Sequence, residues 1–414
     1  MLTKYLNFAL NGIFKRAPVQ VTLFVTSRCN IRCKMCFYWE PIEIKSTNEL
    51  TLAEIEKISN NMPRFFWLLI GGGEPFVRKD LPNIIQCFYA NNGIRHVSIP
   101  TNGTFPDITA KKVEEILTLC PGLFLNLNLS LNGIKHAHDA LCQSEGVFEQ
   151  VIDTYERLKK VKARFGNLGL GINITHSRYN QNDLATLIDF IPEQLSEVDN
   201  ISLGLVRGRP KDTSALDVDI SYYKLSVEKI ESLVVQRRLK NFRVLFGGLA
   251  FIKDMLMRRV IARTVMSGWQ IPCFAGKISL VIDEKANVYP CEMLPAVGNL
   301  RETNYELKKI LSGTSLANAV ERIRSERCFC THECAYSTNV LFNPRLWPIM
   351  AFSYGKLWLK RLMRSESFGS FDDLKIPITR ISRQYNGQKG ELYAGKSFGR
   401  LDPEEKIYTP TRPF

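Results

Sequence analysis

The sequence predicts an α/β fold: a parallel sheet of six strands joined by helices, with a small cysteine-rich hairpin-and-helix module after it. Three observations predict this. Six short apolar segments occur at 19–26, 65–72, 96–103, 123–133, 168–176 and 200–208. Segments of helical spacing alternate with them, a pattern that favours parallel strands and right-handed crossovers. Beyond residue 240 the alternation stops, and five cysteines fall within 273–334. The length of 414 residues suits one large α/β domain with a smaller appendage.

Taken in order, residues 1–17 read as an amphipathic helix. Leu2, Leu6, Ala9, Ile13 and Phe14 share one face, and Lys4, Asn7, Asn11 and Lys15 another. The repeat spans 18–240. Most of its apolar segments end in Gly, Asn, Ser or Thr, which is turn chemistry. Thr51 is a candidate N-cap for a helix carrying Leu52, Ile55 and Ile58. Further helices are expected over 80–89, 107–119, 148–158, 183–191 and 222–235. Six units are two short of a closed eight-stranded barrel. Periodicity alone leaves an open doubly wound sheet and a partial barrel both standing.

Residues 241–272 read as a mixed basic bridge with Lys253, Arg258, Arg259 and Arg263. An alternating run at 278–282, a turn at 283–287 and a second run to 291 predict a β-hairpin with Cys273 and Cys291 at its outer ends. A helical stretch over 315–323 precedes Cys328, Cys330, His332 and Cys334. The 341–414 tail is basic. Trp347 and Trp358 lie among Lys356, Lys360, Arg361 and Arg364, the composition of an interfacial helix. From about 365, Gly, Ser, Pro and charge predict loose order.

Composition narrows the function. Hydrophobic residues make up 45% and charged residues 23%, which excludes global disorder. No run of eighteen uncharged apolar residues occurs, and the first residues lack a secretory pattern. A cytoplasmic, reducing compartment is therefore expected, and with it free thiols rather than disulfides. The net charge of +14 sits at the ends. Residues 1–40 hold six Lys/Arg against one Glu, and residues 341–414 thirteen against seven acids. A nucleic-acid enzyme would carry a basic stripe through its working domain instead. Basic ends fit an anionic membrane surface.

The eleven cysteines carry the chemistry. Cys29, Cys33 and Cys36 stand at C-x3-C-x2-C directly after the first apolar segment, while Cys87, Cys120 and Cys142 are scattered. Thiolates suit iron–sulfur clusters and zinc. Three cysteines on a four-iron cluster leave one iron open, as a catalytic centre requires. Zinc with a fourth ligand elsewhere remains the alternative. The second segment runs into Gly71-Gly72-Gly73-Glu74-Pro75, which by itself is a tight turn.

Taken together, these motifs resemble the radical S-adenosylmethionine (SAM) superfamily. The resemblance implies a partial (β/α)6 barrel. It implies a [4Fe–4S] cluster on Cys29, Cys33 and Cys36, with SAM chelating the open iron, and a 5′-deoxyadenosyl radical formed on reduction. Gly72, Gly73 and Glu74 resemble the family's GGE motif, which receives the SAM amino group. Asn102 lies in a TNG-like turn. Ser130 and Asn132 stand where the family commonly has Ser-x-Asp, so Asn132 departs from it. Met35 stands where an aromatic residue is usual. Leu141-Cys142 follow the HD-like His138-Asp139 where Arg-Gly is common. His136 and His138 are read as exposed residues at a helix start. Asn173 and Arg207 are expected at the barrel mouth as further cofactor contacts.

The second cysteine group resembles a SPASM or twitch extension. That implies one auxiliary [4Fe–4S] cluster, with Cys273, Cys291 and Cys334 as surer ligands. Cys328 and Cys330 compete for the fourth place, and His332 is a weaker choice. The implied partners are an unidentified substrate and a flavodoxin- or ferredoxin-type electron donor. Two rival readings are a zinc-dependent nucleic-acid-binding protein and a non-catalytic iron–sulfur carrier.

Overall fold

The computed structural model describes residues 10, 12–14, 17–44, 47–239 and 247–373. Most of the expected N-terminal helix, and the tail beyond 373, lie outside the described residues.

Strands β1 (Gln20–Thr26), β2 (Trp67–Gly72), β3 (His96–Thr101), β4 (Phe124–Ser130), β5 (Leu168–His176) and β6 (Asn200–Leu205) fall within the six expected segments. They pair in parallel and in strict sequence order. That order settles the barrel question. A doubly wound sheet reverses direction at a switch point, and this one has none. Right-handed crossovers taken always in one direction place the helices on one face. The sheet curls with its other face inward, as a partial barrel.

Strands β7 (Ser279–Ile282), β8 (Asn287–Tyr289) and β9 (Gly298–Asn299) extend the same sheet, in the order β6-β5-β4-β3-β2-β1-β7-β8-β9. β7 runs parallel to β1, with Gln20 opposite Ser279. The cysteine-bearing hairpin is therefore an edge of the barrel sheet, not a detached module. The Asp283 carboxylate shapes its turn by accepting from the backbone N–H groups of Lys285 and Asn287.

The helices in the barrel repeat are α1 (Trp39–Ile44), α2 (Leu52–Asn60), α3 (Leu81–Asn92), α4 (Pro106–Leu119), α5 (His136–Cys142), α6 (Val147–Arg164), α7 (Leu184–Gln194) and α8 (Ile220–Val235). Thr51 caps α2 in a capping box with Glu54, as its sequence position predicts. After the repeat come α9 (Gly247–Ser267), α10 (Leu307–Leu311), α11 (Thr314–Ser325), α12 (Glu333–Leu341) and α13 (Trp347–Leu362).

The two faces of the strands differ in chemistry. Leu23, Leu68, Val97, Leu127, Ile172 and Leu203 belong to the main hydrophobic core and are fully buried. The alternate positions on β3 to β6 are largely polar, including Ser98, Asn126, Asn128, Asn173, Asn200 and Ser202. Asn128 donates to Ser98 Oγ at 2.9 Å. Gly171 leaves room for amides, since a Cβ there would lie 2.3 Å from Asn128 Oδ1 and 2.6 Å from Asn200 Oδ1.

Residues 247–267 correct the expected basic bridge. They form the 21-residue helix α9, with Arg258 and Arg259 both buried. Its buried residues lie on all sides, so no apolar stripe marks it in the sequence. Arg259 pairs bidentately with the equally buried Glu231, at 3.1 and 2.6 Å. It also donates to the Phe371 carbonyl at 2.6 Å. Phe368 and Phe371 are themselves 1% exposed. The chain is therefore packed as far as 373, where composition predicts looseness from 365.

Removing one partner of a buried pair leaves a desolvated charge behind. Arg259→Ala should therefore lower unfolding stability by about 3–5 kcal/mol in urea titrations. A loss below about 1 kcal/mol, the scale of an exposed pair, would show that the pair contributes little.

Candidate active site at the barrel mouth

The loop carrying Cys29, Cys33 and Cys36 leaves the C-terminal end of β1, where α/β barrels place their chemistry. Its first residues are anchored by Glu49. That carboxylate accepts from Thr26 Oγ1 and from the Ser27 N–H, both at 2.7 Å. The glycine turn after β2 lies directly against it. Gly73 N donates to Thr26 O at 2.8 Å, and Glu74 N to Arg28 O at 2.9 Å. A Cβ on Gly72 would sit 2.3 Å from Thr26 O, and one on Gly73 2.2 Å from Arg28 O. Gly72 also takes φ +103°. The other flank docks on α5, where Lys34 N donates to Leu141 O at 3.0 Å and Arg32 N to Cys142 O at 3.4 Å. The departure at 141–142 thus contributes its backbone to the site.

All three thiols are raised, with burial contributing to each. Burial, and then contacts that include Glu74 and Cys33, push Cys29 up to about 11. Burial and the neighbouring Cys33 and Cys29 push Cys36 up to about 12. Cys33 is raised by the Cys142 thiol beside it and by burial. The site therefore disfavours free thiolates and would hold them against a strongly cationic centre. Among the described residues, no three His, Cys, Asp or Glu side chains are gathered as ligands of a single metal ion. Met35 is buried in the main core.

Cys142, scattered in the sequence, lies between this loop and His138, with its Sγ 3.5 Å from His138 Nε2. His138 corrects the expectation of an exposed helix-start residue. It is 1% exposed, accepts from Asn132 N at 3.0 Å, and is held down at about 4 by burial. His136 is exposed, as expected.

The expected SAM contacts divide into two groups. Glu74 is 2% exposed, and its carboxylate is taken up by protein donors. It accepts from Phe76 N at 3.0 Å, Thr101 Oγ1 at 2.9 Å and Asn102 N at 2.7 Å. Burial outweighs these bonds and pushes it up to about 7. Glu74 thereby ties the ends of β2 and β3 together. Asn102 reaches the cysteine loop by donating to Asn30 Oδ1 at 2.9 Å. Asn132 is turned inward and accepts from Thr175 N at 2.7 Å. Arg207 is likewise committed, pairing with Glu292 at 3.1 Å and lying 4.5 Å over the Phe37 ring. Ser130 and Asn173 are register partners on β4 and β5, half-buried and without a side-chain hydrogen bond among the described residues.

In the second cysteine group, Cys273, Cys291, Cys328 and Cys330 come together. Burial and then the charges of Cys273 and Cys330 raise Cys291. Burial, then Cys273, Cys330 and Cys291, raise Cys328. Burial and Cys273 push Cys330 up to about 12. Cys328 and Cys330 therefore both lie close to Cys273 and Cys291. The side-chain partner of Cys334 is His332. The Glu292 carboxylate links His332 to Arg207. Burial opposes both charges, but the pairing outweighs it and holds Glu292 down at about 2 and His332 up at about 9. A buried ionic bridge thus runs from the end of β6 to the cysteine segment before α12.

Sequence reading missed Glu333, in the first turn of α12. Its Oε2 would lie 2.7 Å from a Cβ on Gly204 of β6. Its Oε1 is buried without a hydrogen-bond partner. Nothing in the sequence marks it, because only the fold brings α12 against β6.

The site is thus a three-thiol loop at the C-terminal mouth of an open α/β barrel. Residues 23–191 match the model of the Radical SAM superfamily, and the chain carries a radical SAM domain. That family uses a [4Fe–4S] cluster and SAM. The chain is 30% identical to Fe-coproporphyrin III synthase of Methanosarcina barkeri over 41% of its length and 40% of the relative's. It is 25% identical to mycofactocin maturase MftC of Mycolicibacterium smegmatis over 66% and 64%. The chain thus spans less than two thirds of these relatives. Its fold resembles Streptococcus suis SuiB bound to S-adenosylmethionine, with TM-score 0.54, 16% identity and coverage of 73% and 68%. It also resembles anSMEcpe with bound AdoMet, with TM-score 0.54, 15% identity and coverage of 82% and 100%.

The glycine cradle generates a direct test. Gly73→Ala should displace the cysteine loop and lower the iron bound after anaerobic reconstitution. Gly166→Ala is the control, because a Cβ there meets nothing within 4 Å. Equal iron in both variants would show that the close approach is not needed.

Proposed function

We propose that this chain is a radical SAM enzyme that abstracts hydrogen from a substrate bound over the polar lumen. The observation that carries the reading is the cysteine loop: three thiols on one short loop, held at the barrel mouth by a glycine turn. Cys29, Cys33 and Cys36 would hold a [4Fe–4S] cluster whose fourth iron takes SAM. Bound there, such a cluster would supply on reduction the electron for cleaving SAM to methionine and a 5′-deoxyadenosyl radical.

The chain's own part is positional. Gly72 and Gly73 let backbone approach the loop, and Glu74 and Asn102 lock the turn beside it. Ser130 and Asn173 are the lumen groups left to meet SAM. Glu333 is a further lumen carboxylate, available to a donor group of the substrate. Cys273, Cys291, Cys328 and Cys330 would hold an auxiliary [4Fe–4S] cluster, as in a SPASM or twitch extension. The precursor-peptide complex of SuiB supports a peptide substrate and Fe-coproporphyrin III synthase a small molecule, and the reading covers both classes. The electron donor would be a flavodoxin or ferredoxin, and the place of action the cytoplasm.

Two measurements test this. The variant with Cys29, Cys33 and Cys36 all changed to Ala should form no 5′-deoxyadenosine under reducing conditions. Formation at the parent rate would refute the assignment. That same variant should keep about four irons, one cluster's content. Replacing Cys273 and Cys291 as well should remove them. Tightly bound zinc in their place would overturn the auxiliary cluster and leave the barrel chemistry standing.

A further inference from the structure

Helix α13 presents an outer face that no other described residue covers. Phe352 is 69% exposed, Trp358 65% and Leu362 64%. Trp347, Tyr354 and Leu359 are also exposed. Met350, Ser353 and Leu357 face inward and are buried. At 1.5 Å per residue, the 16 residues make an apolar strip about 24 Å long. Soluble surfaces scatter such residues singly, and a contiguous strip marks a contact. Residues 345–364 hold five Lys/Arg and no Asp or Glu. Arg345 and Arg364 are exposed at the two ends of the helix. Among the described residues no helix is long and apolar enough to cross a membrane.

We propose that this face seats α13 in the headgroup–acyl boundary of an anionic lipid bilayer. Charge selects the bilayer over other occupants. Lys356, Lys360 and Arg361 are half-buried and engaged by the Phe368 ring, Ser365 and the Val234 carbonyl. Arg345 and Arg364 are therefore the cations exposed at this helix. A second copy packed face to face would bring two sets of them together with no acid between, because an isologous interface repeats each patch. Residues 374–414 carry eight Lys/Arg against four acids and offer no complementary charge. An anionic headgroup layer complements the Lys/Arg, and the boundary below it takes Trp, Phe and Leu. The N-terminal turn carrying the exposed Leu10 and Phe14 packs nearby, with Gly12 against the Phe342 ring.

The test is flotation of the full chain with vesicles of equimolar phosphatidylcholine and phosphatidylglycerol, and with phosphatidylcholine alone. The chain should float with the anionic vesicles, bind the neutral ones less, and be released by salt. The Phe352→Ser/Trp358→Ser/Leu362→Ser variant should keep its circular dichroism, since these side chains are exposed, and bind at least about tenfold more weakly. Arg345→Glu/Arg364→Glu should weaken binding to the anionic vesicles only. Several results overturn the proposal: a folded native chain that stays unbound, a triple variant that binds equally, or binding that appears only after residues 374–414 are deleted. Conversion of a dimer to a monomer by the triple variant, without vesicle binding, assigns the face to a second copy instead.

Discussion

The site depends on one close approach: the glycine turn after β2 lying backbone to backbone on the cysteine loop after β1. Two hydrogen bonds, Gly73 to Thr26 and Glu74 to Arg28, join the loops. Any side chain at Gly72 or Gly73 would collide with a carbonyl oxygen. A carbonyl cannot yield as the tip of a flexible side chain can, so the constraint falls on the residue type. Around this contact Glu49, Asn102, Asn30 and the end of α5 fix the remaining edges of the loop. The loop that carries the thiols is thereby held in place by the chain's own contacts.

Closure of the barrel is a second, coupled constraint. Six parallel strands leave an open side, and here the C-terminal elements meet it. β7 adds to β1, Gln20 donates to the Cys334 carbonyl at 3.3 Å, and Glu333 reaches Gly204 on β6. The Arg207–Glu292–His332 bridge fastens the same region by charge. Such a buried array is costly to desolvate and is held by mutual pairing. It also places the second cysteine group at a set distance from the first, and Arg207 lies on Phe37, the residue after Cys36.

Much of this was legible in the sequence. The six strands follow from period-two and turn signals, and β4 shows why: Leu125, Leu127 and Leu129 alternate with Asn126, Asn128 and Ser130. The cysteine spacing and the glycine run are local, and local patterns survive without a fold. Helix α9 was not legible, because a helix buried on every side shows no stripe. Its two arginines read as solvated charge until Glu231 and the Phe371 carbonyl are seen beside Arg259.

What the sequence determined by itself was the repeat, the two cysteine groups and the glycine turn, since each is written within a few dozen residues of chain. What only the tertiary structure decided was partnership. Glu74 is joined to Phe76, Thr101 and Asn102, because three protein donors lie within its reach. Cys142 came beside Cys33 with His138 behind it, and Cys328 and Cys330 joined Cys273 and Cys291. Glu333 entered the lumen through a glycine gap some 130 residues earlier in the chain. The physical reason is common to all of them: burial and charge pairing act through space, and residues far apart in sequence become neighbours only when the sheet has curled.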